Sequence, residues 1–134
     1  MKKIPIILDG DPGHDDAIAW VLANACPELE ILAVTSCCGN QTLEKTTYNA
    51  GRVMSLIGLD VPLAKGREVP LLADPIIAPT VHGVTGLDGP DLPEPKKEPV
   101  AKGAAHLIAE LVEQRDAPVV LVPTGPLTNI AAFI

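Results

Sequence analysis

Apolar positions along the chain fall into blocks whose spacing switches between strand and helix periods. Residues 4–8, Ile-Pro-Ile-Ile-Leu, form a short apolar run that reads as a buried strand. Ile18, Val21, Leu22 and Ala25 then recur at i, i+3, i+4 and i+7, which predicts a helix over 17–25 with these residues on one face; Pro27 ends it. Residues 30–36 are rich in β-branched side chains and read as a second strand. Thr42 stands where it can cap a helix over 43–57, and Gly58 stands where that helix should stop. A short third strand is expected over 61–64. Ala104, Leu107, Ile108 and Leu111 mark one face of a helix over 101–114. A strand over 119–122 follows, and a further helix begins after Asn129.

The texture changes between Pro70 and Pro99, where seven prolines interrupt any periodicity. A loop this long in a compact domain is functional or disordered. Its glycine-rich centre, His82-Gly83-Val84-Thr85-Gly86-Leu87-Asp88-Gly89, suggests a mobile turn. The order β-α-β-α-β-loop-α-β-α implies one α/β domain over 1–134, built on a mostly parallel, doubly wound, Rossmann-like open sheet. In such a sheet every strand points its C-terminal end at the same edge. The turn after the first strand, Asn40 and Thr124 should therefore surround one crevice.

That first turn is the most unusual part of the chain. Asp9-Gly10-Asp11-Pro12-Gly13-His14-Asp15-Asp16 places four aspartates at a strand-to-helix junction, with Gly10, Pro12 and Gly13 folding them back toward one another. One aspartate ahead of a helix is an ordinary cap, and Asp15 and Asp16 lie in a first turn that favours anions. Four repel one another unless a cation neutralises them. Carboxylates without a cysteine or histidine cluster suit a hard ion, Ca²⁺ or Mg²⁺; a bidentate carboxylate and a backbone carbonyl such as that of Thr124 would favour the larger one. A metal held by Asp11 and Asp16 would polarise a water whose proton a neighbouring carboxylate takes. Asp15 and Asn40 suit the vicinal hydroxyls of a sugar. Gly39-Asn40 is equally a plain turn signal, His14 a turn residue, His106 a solvated helix residue, and His82 is open between solvent and substrate.

Composition narrows the partners. Apolar residues make up 47% of the chain and aromatics 2%, so the core must be built from Ile, Leu, Val and Ala. The net charge of −7, without a basic patch, argues against nucleic acid and anionic membranes. No apolar run is long enough to span a bilayer, and the opening stretch is too short for a signal peptide. Cys26, Cys37 and Cys38 are odd in number and have no metal spacing, which suits the reducing cytoplasm, and Cys37 and Cys38 read as packing residues.

The acidic block resembles the N-terminal signature of the nucleoside hydrolases, the inosine-uridine-preferring and pyrimidine-specific ribonucleoside hydrolases. The likeness continues through Cys38-Gly39-Asn40-Gln41-Thr42, through Val81-His82-Gly83-Val84-Thr85-Gly86-Leu87-Asp88-Gly89-Pro90, and through Pro123-Thr124-Gly125-Pro126-Leu127-Thr128-Asn129-Ile130-Ala131. Gln41-Thr42 and the Thr85–Gly89 loop resemble the pyrimidine-preferring bacterial branch most. The resemblance implies Ca²⁺-dependent hydrolysis of the N-glycosidic bond of a ribonucleoside to ribose and free base. Asp11 would ligate Ca²⁺ and act as general base, Asp16 would be a bidentate ligand, and Thr124 would give its carbonyl. Asp15 and Asn40 would hold the ribose hydroxyls, and His82 would lie in the loop over 70–100 that covers the nucleoside. Family members are more than twice as long and commonly homo-oligomeric. The resemblance thus implies a truncated form of the family fold, carrying one wall of the site.

Two other readings stay open. A non-catalytic Ca²⁺- or ribose-binding fragment fits the shorter length. Asp9-Gly10-Asp11 also resembles the Asp-x-Asp of haloacid-dehalogenase-like phosphatases, in which Asp9 would be the nucleophile. That family wants Thr or Val where Gly13 stands, and leaves Asp15 and Asp16 unexplained.

Overall fold

A computed structural model of the chain describes residues 2–134. Nine elements follow one another: β1 (Ile4–Gly10), α1 (His14–Ala25), β2 (Leu29–Ser36), α2 (Leu43–Leu56), β3 (Leu63–Lys65), α3 (Pro79–His82), α4 (Ala104–Glu113), β4 (Val120–Pro123) and α5 (Thr128–Phe133). The strands form one sheet in the order β3-β2-β1-β4. All three pairings are parallel, as the element order predicts. The order reverses between β1 and β4, so the crevice of this open sheet lies where those two strands end. Their ends are level with the others, because Gly10 pairs with Ser36, Ser36 with Lys65, and Asp9 with Pro123.

Alternation along the strands sends side chains to both faces. Ile6, Leu8, Val34 and Leu63 join Trp20, Ala50, Val53 and Met54 on the side of α1 and α2. Ile7, Ala33 and Ala64 join Leu107 and Ile108 of α4 on the other, with Ile130 and Phe133 of α5 packed against them. The β1–β2 register shifts at Ile6/Ile7, so Leu32 is the extra residue of that pair. Helix α2 ends at Gly58, whose φ of 65° is accessible to glycine at little cost. Leu59 N–H reaches Met54 O and Gly58 N–H reaches Ser55 O, the paired bonds of a Schellman stop.

Two local expectations need correction. Thr42 occupies the N-cap of α2, but its side chain makes no capping bond. The apolar spacing in α1 marks the outer face of that helix: Ile18 and Leu22 are 69% and 71% exposed, whereas Trp20 is fully buried. The cause is phase. Helix α1 starts directly at the acidic turn, and Asp16 is buried toward the crevice. At 100° per residue an inward Asp16 brings Trp20 and Ala23 inward with it and turns Ile18 and Leu22 away. Among the described residues no helix is long and apolar enough to cross a membrane.

Candidate functional site

Asp11, Asp16, Asn40, His82 and Thr124 meet at the β1/β4 edge. Asp11 lies just past the end of β1. Its Oδ2 accepts the backbone N–H of Asn40 at 2.6 Å, and its carbonyl accepts Asn40 Nδ2 at 3.0 Å. Asn40 therefore braces Asp11 through both backbone and side chain. The walls beside this carboxylate are glycine. A Cβ on Gly125 would lie 2.5 Å from Asp11 Oδ1 and 2.9 Å from Cys37 Sγ, and one on Gly39 would overlap Asp11 Oδ2. Burial pushes Asp11 up to about 7, against the Asn40 N–H that favours its charged form; the adjacent Asp16 carboxylate adds to the rise.

Asp16 projects from the first turn of α1. Burial raises its pKa too, the nearby Thr124 hydroxyl opposes the rise, and the charge of Asp15 adds to it. One of its oxygens, Oδ1, is buried without a hydrogen-bond partner. Thr124 is fixed by Asp9 O, which accepts the Thr124 N–H at 2.8 Å. Asp11, Asp16 and Thr124, the residues expected to hold the ion, are therefore neighbours. Asp15 is exposed at the rim of the same turn.

Asp9 does not share in this cluster. It is fully buried. Its Oδ1 accepts Thr35 Oγ1 at 2.5 Å and Asn129 Nδ2 at 2.7 Å. Burial raises its pKa against those two bonds. Four converging carboxylates are thus reduced to the Asp11–Asp16 pair. Among the described residues no three His, Cys, Asp or Glu side chains form a metal-holding group. An enclosed Asp9, held by two side chains, also lacks the access that an aspartyl nucleophile needs.

His82 ends α3 and packs over Gly13. Its ring stacks on His14 with centroids 5.8 Å apart and planes 18° apart. A Cβ on Gly13 would meet His82 Nδ1 at 2.5 Å and Asn40 Nδ2 at 2.8 Å, so only glycine admits both. His82 Nδ1 is buried without a partner. The glycine-rich turn carries hydrogen bonds of its own. Asp88 accepts Val84 N–H at 2.9 Å, Thr85 N–H at 3.0 Å and the Thr85 hydroxyl. Gly83 and Gly86 supply the positive φ values, 80° and 84°, that the turn requires.

Sequence reasoning misses the residues that hold this centre from behind. Thr35 and Asn129 carry no local signal, because their partner Asp9 is remote in the chain. Trp20 lies under the turn, where a Cβ on Gly10 would meet both its ring and Asp16 Oδ1 at 3.1 Å. Lys45 and Asn49 could have been found, since polar residues four positions apart mark one face of a helix. A cavity of about 430 Å³ lies elsewhere, with Met54, Leu59 and Val61 in its wall, and no residue of the crevice lines it.

The comparisons agree with this geometry. The family profile described as inosine-uridine preferring nucleoside hydrolase matches residues 6–134. A pyrimidine-specific ribonucleoside hydrolase RihA from Photobacterium profundum is 57% identical over 131 residues, covering 97% of this chain and 42% of that protein. Its namesake from an Enterobacter strain is 54% identical, over 98% of this chain and 42% of its own. Among solved structures, a purine-preferring ribonucleoside hydrolase from Gardnerella vaginalis superposes with a TM-score of 0.89 at 31% identity, over 96% of this chain and 42% of that one. A plant nucleoside hydrolase superposes with a TM-score of 0.87 at 32% identity, over 97% and 42%. The chain spans about two fifths of the length of the curated relatives it matches. Sequence, sheet order and the residues of the crevice lead to one assignment: this chain belongs to the inosine-uridine preferring nucleoside hydrolase family.

Proposed function

We propose that the crevice serves calcium-dependent hydrolysis of the N-glycosidic bond of ribonucleosides, pyrimidine nucleosides foremost, in the cytoplasm. The observation that carries this reading is the Asp11 carboxylate, braced by Asn40 against Asp16 and poised near neutrality. The pyrimidine preference rests on the RihA relatives. The cytoplasmic setting rests on three free cysteines.

The donor set fits a hard cation. Two adjacent carboxylates are held protonation-prone by burial, and one oxygen of Asp16 is buried and unpartnered; a divalent ion answers both. Asp11, Asp16 and the carbonyl of Thr124 would hold it, and once bound it would make a coordinated water acidic enough to supply hydroxide near neutral pH. Asp11 takes the proton of the attacking water at a carboxylate oxygen. The water oxygen bonds to the anomeric carbon as the bond to the base breaks, and the base leaves with that electron pair. Asp15 and Asn40 face the ribose hydroxyls. The anionic turn stabilises the positive charge that develops on the sugar ring. His82 lies against the turn where the nucleoside would enter.

Release of reducing sugar from uridine, cytidine and inosine, with Ca²⁺ and with chelator, tests the proposal. Uridine and cytidine should be cleaved fastest, chelation should stop turnover, and Asp11→Asn should lower kcat by about 10²–10⁴-fold, the usual worth of a general base. Undiminished turnover in Asp11→Asn overturns the assignment. A second reading, a calcium- and ribose-binding fragment without turnover, is favoured by the share of the relatives that this chain spans. Calorimetric Ca²⁺ binding without sugar release would select it.

A further inference from the structure

The loop that carries His82 is held to the body by side chains that each reach one of its backbone carbonyls. Gln41 Nε2 donates to Gly83 O at 3.1 Å. Lys45 Nζ donates to Val84 O at 2.6 Å. Asn49 Nδ2 donates to Thr85 O at 2.9 Å and also lies 3.3 Å from Pro12 O in the acidic turn. His14 Nε2 donates to Asp88 O at 2.8 Å. Lys45 and Asn49 stand one turn apart on the same face of α2, Gln41 lies just ahead of that helix, and the three meet three consecutive carbonyls, Gly83 to Thr85. The fourth holds the far side of the turn and is itself the ring on which His82 stacks.

A free turn gains nothing from such a row of donors, since its carbonyls are as well served by water. Within the loop, Asp88 already fixes Val84 and Thr85, so the turn moves as one piece. Asn49 joins that piece directly to the acidic turn through Pro12. The row therefore sets the height and tilt of His82 above Gly13, and with it the depth of the crevice.

We propose that Gln41, Lys45, Asn49 and His14 are positioning residues that clamp the 82–89 turn by its carbonyls and thereby seat His82 over the acidic turn. The inference rests on the reading of the crevice as a nucleoside site for its purpose, and on the hydrogen-bond row alone for its mechanics. It predicts that the turn is as ordered as the helix holding it, and that it loosens as a unit when one outer donor is lost.

Amide hydrogen exchange on the 134-residue chain tests this with variants at two accessible donors, Lys45→Met and His14→Ala. Each should speed exchange of the Gly86 and Asp88 amides roughly tenfold, about the worth of one such hydrogen bond. Amides of β1 and α2 should stay unchanged, and the His82 ring protons should lose the shift that stacking on His14 imposes. Lys45→Arg, which keeps a charged donor, should restore exchange and shift together. In the same variants KM for uridine should rise about tenfold, with a smaller change in kcat. Unchanged exchange in the turn, or exchange that rises equally throughout the molecule, overturns the clamp. If the parent chain binds and cleaves no nucleoside, the reading of the crevice fails, while the exchange result still decides the clamp.

Discussion

Asn129 Nδ2 donates to Asp9 Oδ1 at 2.7 Å and so joins the opening of α5 to a residue 120 positions earlier. The same amide also donates to Ser36 O at 2.9 Å, and Asn129 Oδ1 accepts Arg67 N–H at 3.2 Å. One buried side chain thus ties α5 to the ends of β1 and β2 and to the backbone just beyond β3. Asn129→Ala strips a partner from the buried Asp9 Oδ1 and Ser36 O and from the Arg67 N–H. Each abandoned buried group costs about 1–3 kcal/mol, so a loss of roughly 2–4 kcal/mol is expected after relaxation. Urea unfolding would measure it. A change under about 0.5 kcal/mol would mean that the network adds nothing to stability beyond ordinary surface substitutions.

Trp20 reports on the acidic turn from below. It is the chain's only tryptophan, it is fully buried, and it follows Asp16 by one helical turn. Drawing the Asp16 carboxylate toward a cation changes the field across the indole. Titrating Ca²⁺ into the protein should therefore shift or quench Trp20 emission in a saturable way. Asp16→Asn should abolish the signal, whereas Asp15→Asn, at the exposed rim, should leave it nearly intact. A response identical in both variants would place the ion elsewhere.

The raised carboxyl groups give stability a definite pH dependence. Asp9, Asp11 and Asp16 all have folded-state pKa values above the ordinary 3.8, with Asp11 at about 7. Between those limits the folded protein holds more protons than the unfolded chain, so unfolding free energy falls as pH rises. Without divalent cations Tm should decline steadily from about pH 4.5 to about pH 7.5. Added Ca²⁺ should recover most of the loss at the upper end and little at the lower, where protons occupy the oxygens that the ion needs. Calorimetric scans across that range would show it. A profile that rises with pH in chelator contradicts the buried acidic pair.

The elements were legible wherever a local signal sets them. The strands of Ile, Leu and Val, the Gly58 stop and the apolar face of α4 follow from spacing and from backbone freedom, and the parallel sheet follows from their order. Helix α1 shows where local reading fails. Its apolar spacing is real, but the inward phase of Asp16 and Trp20 leaves Ile18, Val21, Leu22 and Ala25 on the exposed face. Asp11, Asp16, Asn40 and Thr124 were legible as a group because strand ends share one edge. Which of the acids face one another was not, since Asp9 is turned aside by Thr35 and Asn129, two residues with no marker in their own neighbourhoods. The glycine-rich turn looked loose because glycine frees a chain locally. The donors that fasten it come from α1, from α2 and from Gln41 just ahead of α2, tens of residues away.

Gly125 offers the sharpest separation of site from scaffold. It lies in the turn that follows β4, and it is partly exposed. A Cβ at this position would lie 2.5 Å from Asp11 Oδ1, 2.9 Å from Cys37 Sγ and 3.0 Å from Asp11 N. The backbone of Asp11 cannot yield easily, because it continues β1 and its carbonyl is held by Asn40. The carboxylate is the softer part and must swing away, toward the place where a cation and the attacking water would meet. Gly125→Ala should therefore cost Ca²⁺ affinity and turnover at least about tenfold, while circular dichroism and Tm change little. Gly58→Ala is the matching control. Nothing lies within 4 Å of its added methyl, but its φ of 65° penalises any side chain, so it should lower Tm and spare calcium affinity. If both variants weakened calcium binding only in proportion to lost stability, the packing of Gly125 against Asp11 would have no special part in the site.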